Sequence, residues 1–244
     1  MRTGAAEYLF GGGERFKSRY RFIECAAVAT YFFFLARAFA KTWHLVAERP
    51  LLLLWTVPIL LFALLTADFV SGLVHFLADT YCTEETPFLG PKLIAPFREH
   101  HRDPLAITRH DFVEANGDNC LVTLLVLVPY DLLSDGHSAT SALIALYVGI
   151  FSFAILMTSV VHGWAHLQSP PVFARWLVHA RLAISQSHHA RHHDGTFQTH
   201  YCITTGWLNG PLDRIDFYGK LTSVLAAFGI RPATTGAHSS VAPQ

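Results

Sequence analysis

"LLLLWTVPILLFALLTADFVSGLVHFLADTY", residues 51–81, opens as near-pure leucine and closes on Asp68, His75 and Asp79. An apolar run this long exceeds the roughly 20 residues that cross a bilayer as a helix. Ionisable groups inside such a run are costly and are functional candidates by default. "SALIALYVGIFSFAILMTSVVHGWAH", residues 141–166, repeats the pattern and ends on His162 and His166. Four apolar stretches stand out along the chain: Cys25–Ala40, Leu51–Ala78, Cys120–Leu133 and Ala139–Leu167. The first and third are shorter; Arg37 interrupts one and Pro129 sits late in the other. The expected fold is an all-α integral membrane protein of about four transmembrane helices with a histidine-rich di-metal cap on the cytosolic side. A soluble bundle of buried helices is the plain alternative. The first stretch has a rival reading too: Arg15–Arg21 precedes an apolar run ending in "ARAFA", spaced like a cleavable secretory signal.

Composition agrees with a membrane protein. Of 244 residues, 52% are hydrophobic and 15% charged, where soluble domains carry about 25% charged. Formal net charge is zero, so no basic field points to nucleic acid. Cys25, Cys82, Cys120 and Cys202 are widely spaced and form no C-x-x-C, which suggests reduced thiols rather than a disulfide frame. No internal repeat is visible.

Charge sets the orientation. With four crossings and both termini inside, 15 of the 18 Lys and Arg face inward. Lys41 and Arg49 face outward, and Arg37 lies within a span. That satisfies the positive-inside rule and places both termini in the cytosol, at the inner membrane in a bacterium. The same topology sorts the 15 histidines. Only His44 and His137 face the other side, and His238 trails near the end. The remaining twelve gather on the inner face.

Their spacing suits metal. His162 and His166 are four apart, one turn along a helix face. "SHHARHH", residues 187–193, gives two further such pairs, His188/His192 and His189/His193. Neutral imidazole binds Zn, Cu, Fe and Ni. A structural zinc takes four ligands, and the inner face offers twice that number, which favours two ions. No Glu has a His three residues later and no H-E-x-x-H occurs, so neither the carboxylate di-iron bundle nor the zincin protease pattern is present. A two-metal site rich in histidine and poor in glutamate points to a membrane di-iron enzyme that activates O2. A membrane zinc hydrolase acting on lipid amides or esters is the rival from another class, and a non-enzymatic metal-binding scaffold is a third.

"ADFVSGLVHFLADTY", "PFREHHRDPLAITRHDFVEANGDN", "TSVVHGWAH", "SHHARHH" and "YCITTGWLNGPLDRI" resemble the plasmanylethanolamine desaturase family, which takes in CarF and Kua-type proteins. The likeness runs from about Asp68 to Tyr218. Together with the apolar stretches and the charge count it gives a membrane lipid desaturase domain over 25–221, between a cytosolic segment 1–24 and a flexible tail 222–244, the first 50 residues and the tail carrying no family signal of their own. It implies two iron ions, O2 as co-substrate, and an sn-1 O-alkyl phospholipid desaturated at C1 and C2 to a vinyl ether. Another acyl-lipid desaturase on the same scaffold remains an alternative. The metal ligands the family pattern implies are His75, His100, His101, His162, His166, His189, His192 and His193. His188 belongs to the same motif, as ligand or as support. Animal-type members carry a histidine where this chain has Phe197; His200 lies three residues further on, and whether it substitutes is open.

Groups that orient ligand imidazoles through their other nitrogen come next. Asp79, four residues after His75, is the first choice, as such a group or as a further ligand. His110, Asp103, Asp111, Asn116, Asp118 and Asn119 are candidates in the inner loop, although "NGDN" equally reads as a turn. Arg98 and Arg102 suit either a lipid phosphate or the anionic leaflet. No G-x-G-x-x-G follows a strand, so no nucleotide cofactor is apparent. Electrons are expected from a separate protein, cytochrome b5-like or a ferredoxin.

Overall fold

The computed structural model describes residues 14–87, 90–135, 137–194 and 197–233. Among these, every regular element is helical: α1 (Glu14–Glu48), α2 (Thr56–Thr80), α3 (Ala95–Arg102), α4 (Phe112–Leu133), α5 (Ala139–Ala165), α6 (Val172–His179), α7 (Gln186–His193), α8 (Asn209–Arg214) and α9 (Phe217–Ala227). Helices α1, α2, α4 and α5 are long and apolar enough to cross a membrane.

Two of the four outgrow the apolar stretches that announced them. α1 runs on past Arg37 because Asp131 of α4 answers its charge: Arg37 Nε lies 3.0 Å and Lys41 Nζ 2.9 Å from that carboxylate. The "ARAFA" segment lies within this helix, with Ala38 buried. α4 starts eight residues before Cys120, so "NGDN" is helical rather than a turn. The cause is a cap: Asp111 accepts from the backbone N–H of Val113 and Glu114, at 2.9 and 3.0 Å.

The bundle is apolar outside and mixed within. Leu54, Phe62, Leu125 and Leu133 face outward, while Asp68, Ser71 and Ser152 are buried. In water that arrangement would be inverted; in lipid it follows from an apolar solvent that gives no reason to hide leucine. It speaks against the soluble bundle. α5 is the central helix, packed on α1, α2 and α4. Its buried Ala142, Ala145, Gly149 and Ser152 are small residues that let neighbouring helices come close. A Cβ added at Gly149 would stand 3.1 Å from the Phe39 ring of α1. Along α1, Ala27, Tyr31, Leu35 and Ala38 form a stripe of helical period against Cys120 and Leu127 of α4 and Val148 of α5.

The C-terminal ends of α2 and α5 come together at one end of the bundle, where α3 and α7 close over them. Past α7 the chain returns as a buried segment, Tyr201–Gly206, before α8 and α9. The tail expected from residue 222 begins as helix, since α9 continues to Ala227. The N–H of Ala233 then donates to the Thr80 carbonyl at 2.9 Å. Residues 1–13 of the N-terminal segment, and 234–244 with His238, lie outside the described residues.

Candidate metal centre

Four helices each point their C-terminal part at one spot. α2 brings His75 and Asp79, α3 brings His100 and His101, α5 brings His162 and its cap residue His166, and α7 brings His189, His192 and His193. A helix C-terminus carries the negative end of the backbone dipole and favours a cation. The eight histidines expected as ligands fall into sets whose donor atoms lie within 4.8 Å of one another. One set is His100, His162, His166 and His189; another is His75, Asp79, His101 and His192. A third, His100, His101 and His193, shares a member with each and so joins them.

Hydrogen bonding alone leaves the first set unsatisfied. Nε2 of His162, His166 and His189 form a triangle with sides of 2.9, 3.1 and 3.2 Å. Each nitrogen either carries a proton or bears a lone pair. In any triangle at least two corners are alike, so one side must set proton against proton or lone pair against lone pair. Three lone pairs meeting on a cation remove the conflict. By plane geometry the centre lies roughly 1.8 Å from each corner, near the ~2.0–2.1 Å of a zinc–imidazole bond. Both nitrogens of the buried His100 also lack a hydrogen-bond partner among the described residues. The donor set therefore fits a metal.

The second set shows how lone pairs are aimed. His75 Nδ1 lies 3.0 Å from the Tyr201 carbonyl, and His192 Nδ1 lies 2.8 Å from that of Thr199. A carbonyl only accepts, so each Nδ1 carries the proton and each Nε2 keeps its lone pair. Those Nε2 atoms stand 3.2 and 3.5 Å from Asp79 Oδ2. His101 Nε2 is 3.2 Å from His192 Nε2 and 3.7 Å from the same carboxylate. Asp79, expected near His75 as an orienting group or as a further ligand, stands among the donors, and neither of its oxygens finds a hydrogen-bond partner among the described residues.

Electrostatics favour neutral rings. Burial, reinforced by neighbouring imidazoles, holds His100 and His189 well below the ordinary histidine value. Burial also brings His193 to about 3 and His166 to about 4. At His101 burial outweighs the opposing pull of Asp79, leaving about 3. Unprotonated imidazole is the form that ligates metal.

The orienting carbonyls sit on the buried segment after α7, and three residues hold that segment. Asp68 Oδ1 accepts from the N–H of Thr205 and Gly206 at 2.8 and 2.9 Å, and its Oδ2 accepts from Leu208 at 3.0 Å. Asn209 closes on Cys202 from both ends of its amide, accepting from its N–H at 2.8 Å and donating to its carbonyl at 2.9 Å. Ser71 accepts from Ile203 N–H at 3.2 Å. Gly72 makes room, since a Cβ there would meet Cys202 Sγ and the Tyr218 hydroxyl at 2.5 Å. Of these, Asp68 had a signal in sequence, a carboxylate in a leucine-rich span. Tyr201 and Asn209 lie in the block "YCITTGWLNGPLDRI", which pointed to no role for either; Thr199 had no signal.

Other expected residues lie outside the donor sets. His188 is 3.3 Å from the Asn209 amide, which makes it a support for the segment. His200 Nδ1 lies 2.9 Å from Asp213, and His110 Nδ1 3.0 Å from Glu114. Phe197 stacks on His101, ring centroids 4.5 Å apart. Asn116 is buried and donates to the Phe112 carbonyl; Asp118 shares its helix. Asn119 ties α4 to Ser159 of α5, at 2.8 Å. Asp103 pairs with Arg109 and Asp111 with Arg21. Arg98 donates to the Cys82 carbonyl, and Arg102 pairs with Glu84 at 3.2 Å.

Comparison with known proteins agrees with this geometry. A family model of the lipid desaturase domain matches residues 64–235. The plasmanylethanolamine desaturase of Myxococcus xanthus is 39% identical over 214 residues, covering 87% of this chain and 74% of the relative. Plasmanylethanolamine desaturase 1 of Mus musculus is 37% identical over 230 residues, 91% of this chain and 82% of the relative. The chloroplastic fatty acid desaturase 4-like 2 of Arabidopsis thaliana is 32% identical over 170 residues, 68% and 58% respectively. No solved structure matches the chain. The chain therefore belongs to the lipid desaturase family, the one that includes the plasmanylethanolamine desaturases, and is an oxidoreductase.

Proposed function

We propose that this protein is an O2-dependent di-iron desaturase that forms the vinyl ether bond of plasmalogens, converting plasmanylethanolamine to plasmenylethanolamine. The observation that carries the reading is a pair of abutting donor sets, nearly all imidazole, at the ends of apolar helices. His100, His162, His166 and His189 would hold one iron; His75, Asp79, His101 and His192 would hold the other; His193 lies between them. The names of the two bacterial and animal relatives support the ether lipid as substrate.

Iron with O2 supplies the oxidising power that two unactivated C–H bonds demand. The chain's own residues do the rest. Thr199 and Tyr201 fix the imidazole tautomers, burial keeps bulk water from the cluster, and the outward apolar faces of α2 and α5 give the alkyl chain a path. The cluster sits at the ends of the spans, near headgroup depth, which suits attack beside the glycerol ether better than attack in mid-chain. The charge count places this end in the cytosol. Electrons come from a separate carrier, cytochrome b5-like or a ferredoxin.

The test is expression in a plasmalogen-free host fed alkylglycerol, with lipid analysis and metal analysis of the purified protein. Vinyl ether lipid together with about two iron ions per chain is the expected result. A double bond placed elsewhere in an acyl chain would transfer the protein to the other acyl-lipid desaturases. Full activity in a sample free of iron would end the di-iron reading.

A further inference from the structure

A cavity opens beside the end of α5. It measures about 300 Å³ and lies between the end of α5, α6 and the start of α7. That is the lower end of the range for pockets that hold small molecules. Val161, Ala165, Val178 and Ile184 give it an apolar wall; Arg175 and Gln186 supply polar groups. None of the donor histidines lines it. Trp164, which also lines it, lies about 200° around α5 from His162 at 100° per residue.

Two further features say what fits. Arg175 is exposed, and no carboxylate pairs with it among the described residues. The other arginines of this cap for which the structure gives a partner, Arg98, Arg102 and Arg109, each answer a carbonyl or carboxylate. Beside Arg175, α6 turns Val172, Phe173 and Trp176 outward. A short helix with a bare aromatic face lies in the plane of a bilayer interface, and tryptophan belongs at headgroup depth. The cavity mouth would then stand where phosphates and the first methylenes of phospholipids are found.

We propose that the mouth of this cavity binds one membrane phospholipid, with its phosphate on Arg175 and the first methylenes of one chain against Trp164, Leu167 and Val178, at a site separate from the metal centre. The site rests on the reading that the protein works within a lipid bilayer. Its occupant braces the turn between α6 and α7. Ile184 is fixed there by its own N–H bond to the Thr204 carbonyl, at 3.0 Å, and His189 follows five residues later. Lipid in the cavity thereby steadies the helix that carries three of the eight clustered histidines.

The experiment is photolabelling of the full chain in detergent with diazirine phosphatidylethanolamine, followed by peptide mapping. Label is expected within residues 161–187. Arg175→Glu should reduce it about tenfold, the effect of losing one charge-assisted hydrogen bond. Ala174→Trp, which fills the cavity from a buried position, should reduce it as well. Arg214→Glu, an exposed arginine elsewhere, should leave it unchanged. Equal labelling by a diazirine diacylglycerol, displacement by inorganic phosphate, or indifference to Arg175→Glu would each overturn the site. Labelling needs no turnover, so the two readings separate cleanly: label without vinyl ether leaves this site standing, and vinyl ether without label removes it.

Discussion

Two of the polar clusters in the bundle are built on opposite principles. At Asp131, one carboxylate meets Arg37 and Lys41 at 3.0 and 2.9 Å. Its charges are answered within the chain, and the result ties α1 to α4. At the other cluster, eight imidazoles and one carboxylate turn lone pairs toward each other, and several buried nitrogens have no partner among the described residues. The first group is complete as it stands. The second leaves donors that metal cations would fit, and that incompleteness is what marks it as a candidate site.

Breaking the incomplete cluster should cost most. His192→Ala removes a donor of one set, and His162→Ala a donor of the other. Either is expected to abolish vinyl ether formation in the fed host while the protein still inserts; wild-type product levels from either variant would refute the ligand assignment. Asp79→Asn keeps the shape but removes the one carboxylate among the donors. Activity should fall about 10- to 100-fold or more, with iron content dropping toward one per chain by metal analysis.

Asp68→Asn probes the support rather than the donors. An amide presents one acceptor where the carboxylate accepts three N–H bonds, so the buried loop should loosen by about 2–3 kcal/mol. Thermal unfolding in detergent would register it. Acid should act on the histidine cluster before it reaches the paired carboxylates. Unfolded histidine titrates near 6.5, while His101, His166 and His193 in the fold sit at about 3, 4 and 3. Between those values the unfolded chain binds more protons, so stability is full above about pH 6.5 and declines as pH falls toward 4. A melting temperature that stayed flat across that window would contradict the burial of these rings.

At Asp131 the effects should be smaller and of another kind. Asp131→Asn is expected to lower stability by about 1–3 kcal/mol, leaving iron content and activity per folded molecule unchanged. The smallest effect belongs to His137→Ala. This exposed residue joins no donor set, and its loss should change stability by less than about 0.5 kcal/mol.

Much of this was written in local spacing. Four apolar runs gave four long helices, and charge counting gathered the histidines before any motif was invoked. Helix ends were harder: the capping oxygen of Asp111 and the ion pair to Arg37 extended α4 and α1 beyond their hydrophobic runs. Spacing along one helix showed that His162 and His166 share a face. It could not show that Asp79 reaches His101 and His192, because those contacts join separate helices. Nor could it show what Asp68 holds, since a bond from its carboxylate to a backbone N–H 138 positions away leaves no local trace.

The distance between His75 and the carbonyl that orients it, 126 positions further on, sets an order of manufacture. A ribosome finishes all four long apolar helices before it reaches Tyr201. Until that residue is made, the His75 ring lacks the carbonyl that orients it, so the histidine cluster cannot be fully set before the chain has passed its last long helix.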